Sequence, residues 1–359
     1  MTGSDTAAEQ QDPIRGRARG IAPAPLSILD LATVGEGYTP TEALRATTEL
    51  ARRAEEWGYH RFWVAEHHGM PGVASSSPPV LIAHLAAATS TLRLGSGGVM
   101  LPNHAPLAVA EQFGLLNALH PGRIDLGLGR APGTDQATAR ALRRGLGEGA
   151  DDFPQQLTEL TGFLDGDFPP GHPYGRITAV PGPVDGQRPP VWLLGSSGFS
   201  ARLAGQLGLP FAFAHHFSAA NTVPALELYR TTFRPSAVLD EPYAVIGVSA
   251  VAAPDERQAL RLARSGGLSM LRLRRGRPGL IPTPEEAESY PYTEVERDFL
   301  DDWLRNVVLG EPAQVRDGLE ELRRRTGAQE LMVTSHVHGH EARIASYGLI
   351  ADAYGLTAG

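Results

Sequence analysis

Two adjacent histidines follow an acid in the stretch "AEHHG" at 65–69, at the end of the apolar run "RFWVAEHH". An imidazole can bind a metal, move a proton near neutral pH, or satisfy polar groups in a packed core. Successive side chains of a strand point to opposite faces. We therefore predict that His67 and His68 have different roles, with His67 facing a site and His68 pointing away. Glu66 is expected either to orient a histidine or to pair with an arginine.

Other histidines occupy similar positions along the chain. Seven of the 12 histidines follow predicted strands: His67, His68, His215, His216, His336, His338 and His340. The "HVHGH" stretch at 336–340 has a His-x-His spacing that suits zinc. A catalytic zinc site usually adds a carboxylate or a third histidine, and no HExxH motif occurs in the sequence. We favour a site without metal.

A phosphate site is a second possibility. The stretch "LLGSSGFSARLA" places Gly195, Ser196, Ser197 and Ser200 at a predicted junction of strand and helix. Free backbone N–H groups and the helix dipole favour an anion at such a junction. An ordinary helix cap by Ser196 or Ser197 explains the same residues, so this stretch alone leaves both readings open. Arg130 is the nearest candidate for a counter-charge, because arginine suits bidentate phosphate binding.

Two familiar motifs do not fit these glycine-rich stretches. "GLGRAPG" lacks the GK[ST] ending of a P-loop, and "GSSGF" departs from the GxSxG pattern of a serine-hydrolase elbow. Hydrolysis remains open, because several histidines could act as bases.

Composition narrows the class of protein. The chain has 359 residues, 42% of them hydrophobic, a formal charge of -8 and no cysteine. This acidity does not favour a nucleic-acid partner, and the absence of cysteine fits a reducing cytoplasm. No apolar run is long enough for a membrane span, and the polar N-terminus lacks the apolar core of a signal peptide. We expect a cytoplasmic protein with a flexible tail over residues 1–24.

Eight apolar, strand-like stretches alternate with helical patterns from residue 25 to 359. The strand candidates are "LSILDLA", "YHRFWVAEHH", "LRLGSGGVML", "RIDLGLGRAPG", "PPVWLLG", "LPFAFAHHF", "YAVIGVSAVAA" and "AQELMVTS". This alternation predicts an α/β fold in one domain, a (β/α)₈ barrel with parallel strands. A doubly wound open sheet is the alternative, but only a barrel gathers the ends of all the strands on one face. Long loops are expected after strands four and seven, over about 131–190 and 264–300.

Long blocks of the sequence resemble the bacterial luciferase-like, flavin-dependent monooxygenase family over roughly residues 26–356. The blocks are "LDLATVGEG", "YHRFWVAEHH", "SGGVMLPNHAPLAVAEQF", "HPGRIDLGLGRAPGTD", "FAFAHHF" and "HEARIASY". The resemblance is closest to the single-chain branch, and it implies a (β/α)₈ barrel. Luciferase itself needs two different subunits and a long-chain aldehyde. We do not expect light emission from this chain.

The resemblance implies reduced FMN as a cosubstrate, O₂ as the oxidant and a C4a-peroxyflavin intermediate, without a metal. It also implies a separate flavin reductase, a small organic substrate and a homodimer. Two alternatives stay open. One is hydride transfer with the deazaflavin F420 on the same fold, and the other is a flavin-binding protein without catalysis.

Family positions also transfer to individual residues. His67 matches the acid/base position near the flavin, and His68 is included as a second candidate catalytic residue. Arg130 and the "SSGFS" segment match the flavin-phosphate site, while Gly97 lies in the "GGVML" segment expected against the flavin ring. The full set of predicted cofactor-binding residues is Leu31, Ala65, Glu66, Gly98, Val99, Met100, Arg130, Gly195, Ser196, Ser197 and Ser200.

Overall fold

The computed structural model describes residues 12–142, 152–183 and 186–357. The strands are β1 (Leu26–Asp30), β2 (Arg61–Val64), β3 (Arg93–Ser96), β4 (Val99–Met100), β5 (Ile124–Gly129), β6 (Val191–Gly195), β7 (Phe211–Phe213), β8 (Ala244–Ala252), β9 (Val308–Gly310) and β10 (Glu330–Thr334). The helices are α1 (Pro40–Trp57), α2 (Pro78–Ala88), α3 (Pro106–Leu119), α4 (Gln136–Leu142), α5 (Phe153–Asp165), α6 (Gly198–Leu207), α7 (Thr222–Thr232), α8 (Glu256–Arg274), α9 (Pro284–Ser289), α10 (Glu294–Arg305), α11 (Pro312–Thr326) and α12 (His340–Tyr354).

The strands form a closed parallel barrel with helices around it. The order is β10, β1, β2, β3, β5, β6, β7 and β8, and β8 pairs again with β10 to close the ring. This confirms the predicted (β/α)₈ barrel. The short strands β4 and β9 extend it, pairing with β5 and β8 respectively. Among the described residues, no helix is long and apolar enough to cross a membrane.

Alternation along the strands produces two separate apolar layers. One set of side chains, including Ile28 and Phe62, packs between the barrel and its helices. The alternate set, including Leu29, Trp63 and Met332, packs inside the barrel. Burial of both faces is what makes the strands read as near-continuous apolar runs in the sequence.

Helix α1 begins and ends where its sequence signals indicate. Thr39 caps its first turn and forms a capping box with Glu42, and Pro40 follows directly. Gly58 ends the helix with φ 87°, a left-handed conformation that glycine adopts without a steric penalty. The turn that follows directs the chain into β2.

Strand three bends at Gly97 and Gly98, which are joined by a cis peptide bond. Leu94 pairs with Ile124, and Val99 pairs with Leu128. The chain therefore advances five residues on this strand while it advances only four on β5. This is a β-bulge. A Cβ atom on Gly98 would lie 2.8 Å from the Gly127 carbonyl oxygen, so the backbones approach more closely than a larger residue permits.

The prediction of a flexible tail over residues 1–24 is wrong for residues 12–24. Residues 1–11 lie outside the described residues. Ile14 is only 3% exposed and joins the apolar layer inside the barrel. Its carbonyl oxygen accepts a hydrogen bond from Arg61, and the Gly16 N–H donates to the Tyr243 hydroxyl at 2.9 Å. One isoleucine in a polar segment forms no periodic pattern, so the sequence did not indicate this contact.

The connections after the fourth and seventh barrel strands contain more helix than predicted. The segment 131–190 includes α4 and α5, although 166–183 is a loop as expected. The predicted loop over 264–300 is wrong for most of its length, because α8, α9 and α10 cover it. Its central part is tied to the barrel by main-chain bonds: the Ile281 N–H donates to Val34 O, and Glu36 N–H donates to Ile281 O, both at 2.9 Å.

A buried charge cluster fills the end of the barrel where the strands begin. The Arg61 side chain is fully buried and contacts Asp125 at 2.9 Å and Glu330 at 3.1 Å. Arg93 also pairs with Asp125, and the Tyr243 hydroxyl donates to Glu330 at 3.0 Å. Burial alone raises the pKa of Asp125, but Arg93 and Arg61 outweigh it and lower that pKa below its ordinary value. The charges are therefore retained and compensated inside the protein.

Replacing Arg61 with methionine is expected to lower the free energy of unfolding by about 3–5 kcal/mol, because it leaves buried carboxylates without their main partner. Urea denaturation measures this change. Arg53→Met is the control, since Arg53 pairs with Glu49 and Glu56 on the exposed face of α1. It is expected to cost less than about 1 kcal/mol. Equal losses in the two variants contradict a structural role for the buried cluster.

Candidate active site

A cavity of about 330 Å³ opens at the end of the barrel where the strands finish. This volume lies in the range of small-molecule sites, and this face of a (β/α)₈ barrel is where such enzymes place their active sites. Its floor is apolar and is formed by Leu29, Trp63, Leu194, Val245 and Met332. Polar side chains, among them His67, Arg130 and Ser197, line the wall and the rim above this floor. The arrangement suits a ligand with a flat, apolar body and a polar end.

Most of the residues predicted for the cofactor and catalytic site do line this cavity. They are Leu31, Ala65, His67, Gly98, Met100, Arg130, Gly195, Ser196, Ser197 and Ser200. Three others, Glu66, His68 and Val99, lie outside the cavity wall. Val99 is buried in the apolar layer between the barrel and its helices.

Glu66 is the central hydrogen-bond acceptor behind the cavity wall. Its side chain is fully buried, and Oε1 accepts bonds from His68 Nε2 and His104 Nε2, each at 2.9 Å. Its Oε2 accepts the Met100 N–H at 3.0 Å. Burial raises the pKa of Glu66, but the bonds from His104 and His68 outweigh it and lower this pKa below its ordinary value. A carboxylate here fixes the main chain of Met100, which lines the cavity.

His67 and His68 point in different directions, which is the arrangement that strand alternation predicts. His67 lines the cavity, and its Nδ1 is buried with no hydrogen-bond partner in the described part of the chain. Burial lowers the pKa of His67 below its ordinary value, so the ring is neutral at pH 7. His68 instead donates to Glu66 and supports the wall. Of the two, His67 is the one placed to contact a ligand.

Two cavity histidines, His216 and His336, are missing from the predicted site. Burial lowers the pKa of each to about 4. His216 Nδ1 lies 3.0 Å from Gly247 O, and because a carbonyl only accepts, Nδ1 carries the proton and Nε2 is left as an acceptor. Both belong to the seven histidines that follow predicted strands, and this grouping was the sequence signal that could have identified them.

The remaining strand-end histidines have structural partners. His215 is buried and contacts Thr222 Oγ1 at 2.7 Å, and His338 Nε2 lies 2.8 Å from Glu36 O. The His340 ring packs against Tyr38. Across residues 12–142, 152–183 and 186–357, no group of three metal-ligating side chains comes together.

The serines predicted for the phosphate site lie on the cavity rim, where β6 meets α6. Ser197 is the N-cap of α6, yet its side chain makes no capping bond within the described chain. The structure therefore does not support the alternative that the Ser197 side chain is an ordinary helix cap. A Cβ atom on Gly195 would lie 2.7 Å from Ser200 Cβ, so glycine lets the strand meet the helix closely. Backbone N–H groups at a helix N-terminus attract negative charge.

Arg130 supplies a positive charge on the same rim. Its guanidinium carbon lies 4.3 Å from the centre of the Phe199 ring at the start of α6. Among the described residues, it has no acidic partner within salt-bridge distance. Stacking holds the planar group in place while its N–H edge stays available for an oxyanion.

Comparison with known proteins identifies the family. A family model described as luciferase-like monooxygenase matches residues 25–330. The chain belongs to the luciferase-like monooxygenase family, a family of enzymes, and the resemblance noted in the sequence is confirmed.

Individual relatives cover nearly the whole chain. The YvbT protein of Bacillus subtilis (strain 168) is 53% identical, with 92% of this chain and 96% of that protein covered. A luciferase-like monooxygenase of Escherichia coli (strain K12) is 48% identical over 91% of this chain and 96% of its own length. The crystal structure of apo-MsnO8 is 39% identical and superposes with a TM-score of 0.84, covering 93% of this chain and 99% of that one.

More distant structures share the fold alone. A type II Baeyer–Villiger monooxygenase from Pseudomonas putida in complex with FMN is 18% identical, with a TM-score of 0.68 over 93% of this chain and 98% of that one. An F420-dependent secondary alcohol dehydrogenase is 15% identical, with a TM-score of 0.64 over 92% and 99% of the two chains. The first of these two structures contains FMN, and the second contains an F420–acetone adduct.

The buried cavity histidines make stability depend on pH. An imidazole whose pKa falls from about 6.5 in the unfolded chain to about 4 in the folded protein binds more protons when unfolded. The contribution of this imidazole to the free energy of unfolding is complete above its pKa in the unfolded chain. It is lost as the pH falls toward its pKa in the folded protein. Between about pH 7 and about pH 5, we expect wild type to lose about 1–2 kcal/mol more unfolding free energy than His336→Asn.

Urea denaturation at the two pH values tests this difference. His172→Asn is the matched control, since His172 lies in the 166–183 loop outside the cavity. This variant should follow wild type at both pH values. Identical pH slopes for wild type and His336→Asn count against a buried, neutral imidazole at this position.

Proposed function

We propose that the protein is a monooxygenase that uses reduced FMN and O₂ to oxidise a small organic substrate, with the reduced flavin supplied by a separate reductase. The observation that carries this proposal is the cavity itself: its wall holds a neutral histidine, and its rim holds, beside a helix N-terminus, an arginine with no acidic partner among the described residues. The histidine suits a place beside the ring of FMN. The arginine and the helix N-terminus suit its phosphate.

The phosphate end of FMN fits the rim. Arg130 provides a charge, Ser196 and Ser197 provide hydroxyl groups, and the first turn of α6 provides backbone N–H donors. Charge-assisted hydrogen bonds of this kind are the strong ones in proteins. We assign the flavin phosphate to this group of residues.

The ring of FMN fits the chamber. Gly97 and Gly98 present bare backbone at the strand bulge, and Met100 extends this wall. Trp63 and Met332 on the floor keep water from the reacting atoms, which limits side reactions. His67 stands on the same wall as a neutral imidazole that can hold or move a proton.

Reduced FMN, when bound, supplies two electrons to O₂, so that one oxygen atom enters the substrate and the other leaves as water. The chain's own residues provide the surroundings for this chemistry. His67 and His216 each offer a ring nitrogen for proton transfer, while Glu66 keeps His68 and the Met100 backbone in position.

Arg130→Gln is expected to weaken FMN binding by about 10–100-fold, because a charge-assisted bond to the phosphate is worth about 1.5–3 kcal/mol. Riboflavin lacks the phosphate, so its affinity should change little. Flavin fluorescence during titration measures both affinities. Arg176→Gln, a change at an exposed arginine of the 166–183 loop, is the matched control.

An equal loss of FMN and riboflavin binding in Arg130→Gln contradicts the assignment of this arginine to the phosphate. The same titration with F420 separates the two cofactor classes. FMN should displace bound F420 from wild-type protein at a lower concentration than F420 needs to displace bound FMN. Failure of both reduced and oxidised FMN to bind refutes the proposed function.

His67→Ala is expected to slow the return of bound reduced FMN to oxidised FMN in air-saturated buffer by at least ~10-fold, because general acid–base groups contribute ~10²-fold or more. The wild-type rate should fall in acid at a pH below about 6.5, since only the neutral imidazole accepts a proton and burial lowers the pKa of His67.

Stopped-flow absorbance measures this rate after FMN affinity has been shown to be intact. His68→Ala is the neighbouring control, and its effect should be milder because His68 lies behind the wall. A larger effect in His68→Ala than in His67→Ala reverses the assignment of the two histidines and leaves the FMN site unaffected.

A further inference from the structure

A second groove of about 340 Å³ adjoins the central cavity and shares His216 and Phe217 with it. We call it the α8–α10 groove. Its other walls come from the turn after β7 and from helices α8 and α10, and the residues used below are Met270, Leu273, Arg274, Phe299, Asp302 and Trp303. A molecule lying in this groove has one end at the wall of the central cavity.

Helix α8 sets the length of the groove. A Cβ atom on Gly266 would lie 2.9 Å from His336 Cβ, so this part of α8 packs against the cavity wall. Arg274 comes eight residues later, which corresponds to about 12 Å along a helix axis. Met270 and Leu273 lie between these two points and are half-buried. The groove therefore offers an apolar path from the cavity to Arg274.

Arg274 is the positively charged group at the far end of this path. Its neighbours are already neutralised, since Arg272 pairs with Glu286 and Arg275 contacts Glu296 at 2.5 Å. Arg274 instead stacks on Phe299, with its guanidinium carbon 5.1 Å from the ring centre. Among the described residues, no carboxylate lies within salt-bridge distance of it.

The other polar groups of the groove do not cancel this charge. The carboxylate of Asp302 is already within 3.0 Å of Arg305 Nη2. Burial lowers the pKa of His215 and of His216 to about 4, so both rings are neutral at pH 7. A positive charge with no carboxylate partner in the described part of the chain thus lies at the end of an apolar path.

We propose that the α8–α10 groove binds the substrate of the enzyme, and that this substrate is an amphipathic carboxylic acid. Its apolar part lies along Met270, Leu273 and Trp303, with the end to be oxidised toward His216. Its carboxylate pairs with Arg274, whose stacked guanidinium has the planar shape that matches a carboxylate. This inference rests on the proposed function, because it assigns the second component of the same reaction.

Octanoate and octanamide are a suitable pair of probes, since they share a chain and differ in charge. Binding to the FMN-loaded protein is measured by calorimetry and by the change in the visible spectrum of bound FMN. Wild type is expected to bind octanoate about 10-fold more tightly than octanamide, in line with one charge-assisted hydrogen bond. Arg274→Gln should remove this preference while leaving octanamide binding and FMN affinity unchanged.

Two further variants make the result specific. Arg277→Gln removes an exposed arginine beyond the end of α8 and should keep the preference for octanoate. Met270→Trp fills the groove and should weaken both probes without altering FMN affinity. Equal affinity of wild type for the two probes, or equal weakening of both by Arg274→Gln, overturns the proposal.

Failure of the proposed function gives a different pattern. In that case FMN does not bind, whereas calorimetry on protein without flavin still reports whether octanoate is preferred over octanamide and whether Arg274 is responsible.

Discussion

Closure of the barrel is the constraint on which the rest of the molecule depends. Strand β10 pairs with β1 on one side and with β8 on the other, with five residue pairs from Glu330–Val245 to Thr334–Ser249. Because each barrel strand runs parallel to its neighbours, closure brings residues far apart in sequence to one rim. His67, Arg130, the serines before α6, His216 and His336 meet there for this reason alone.

The two ends of the barrel handle charge in opposite ways. Where the strands begin, Arg61 and Arg93 neutralise Asp125 and Glu330 within the barrel interior. Where the strands end, Arg130 and Arg274 have no acidic partner in the described chain, and burial keeps the cavity histidines His67, His216 and His336 neutral. Charge at the first end serves stability, and charge at the second end is available to ligands.

The sequence predicts the barrel well because buried parallel strands and their helices carry strong periodic signals. It also indicates the residues that we propose for the flavin phosphate, since Gly195 and the serines are local features of one strand–helix junction. His216 and His336 are harder to select, because only the closed ring decides which of seven strand-end histidines face inward. Glu66 binds His68, which is one of the two roles expected for it, but its bonds to His104 and to the Met100 N–H come from another part of the chain, and no local pattern encodes them. The helices within 264–300 were missed because proline, glycine and charged residues obscure their short apolar faces.

The attachment of the segment around Ile281 also bears on how this protein can change over evolutionary time. Its bonds to Val34 and Glu36 involve main-chain atoms, which nearly every residue type provides in the same form. Side chains of α8 that face the groove, such as Met270, Leu273 and Arg274, can therefore be exchanged without breaking these main-chain bonds. A few substitutions on the groove that we propose for the substrate would thus alter its surface while the attachment of this segment stays the same.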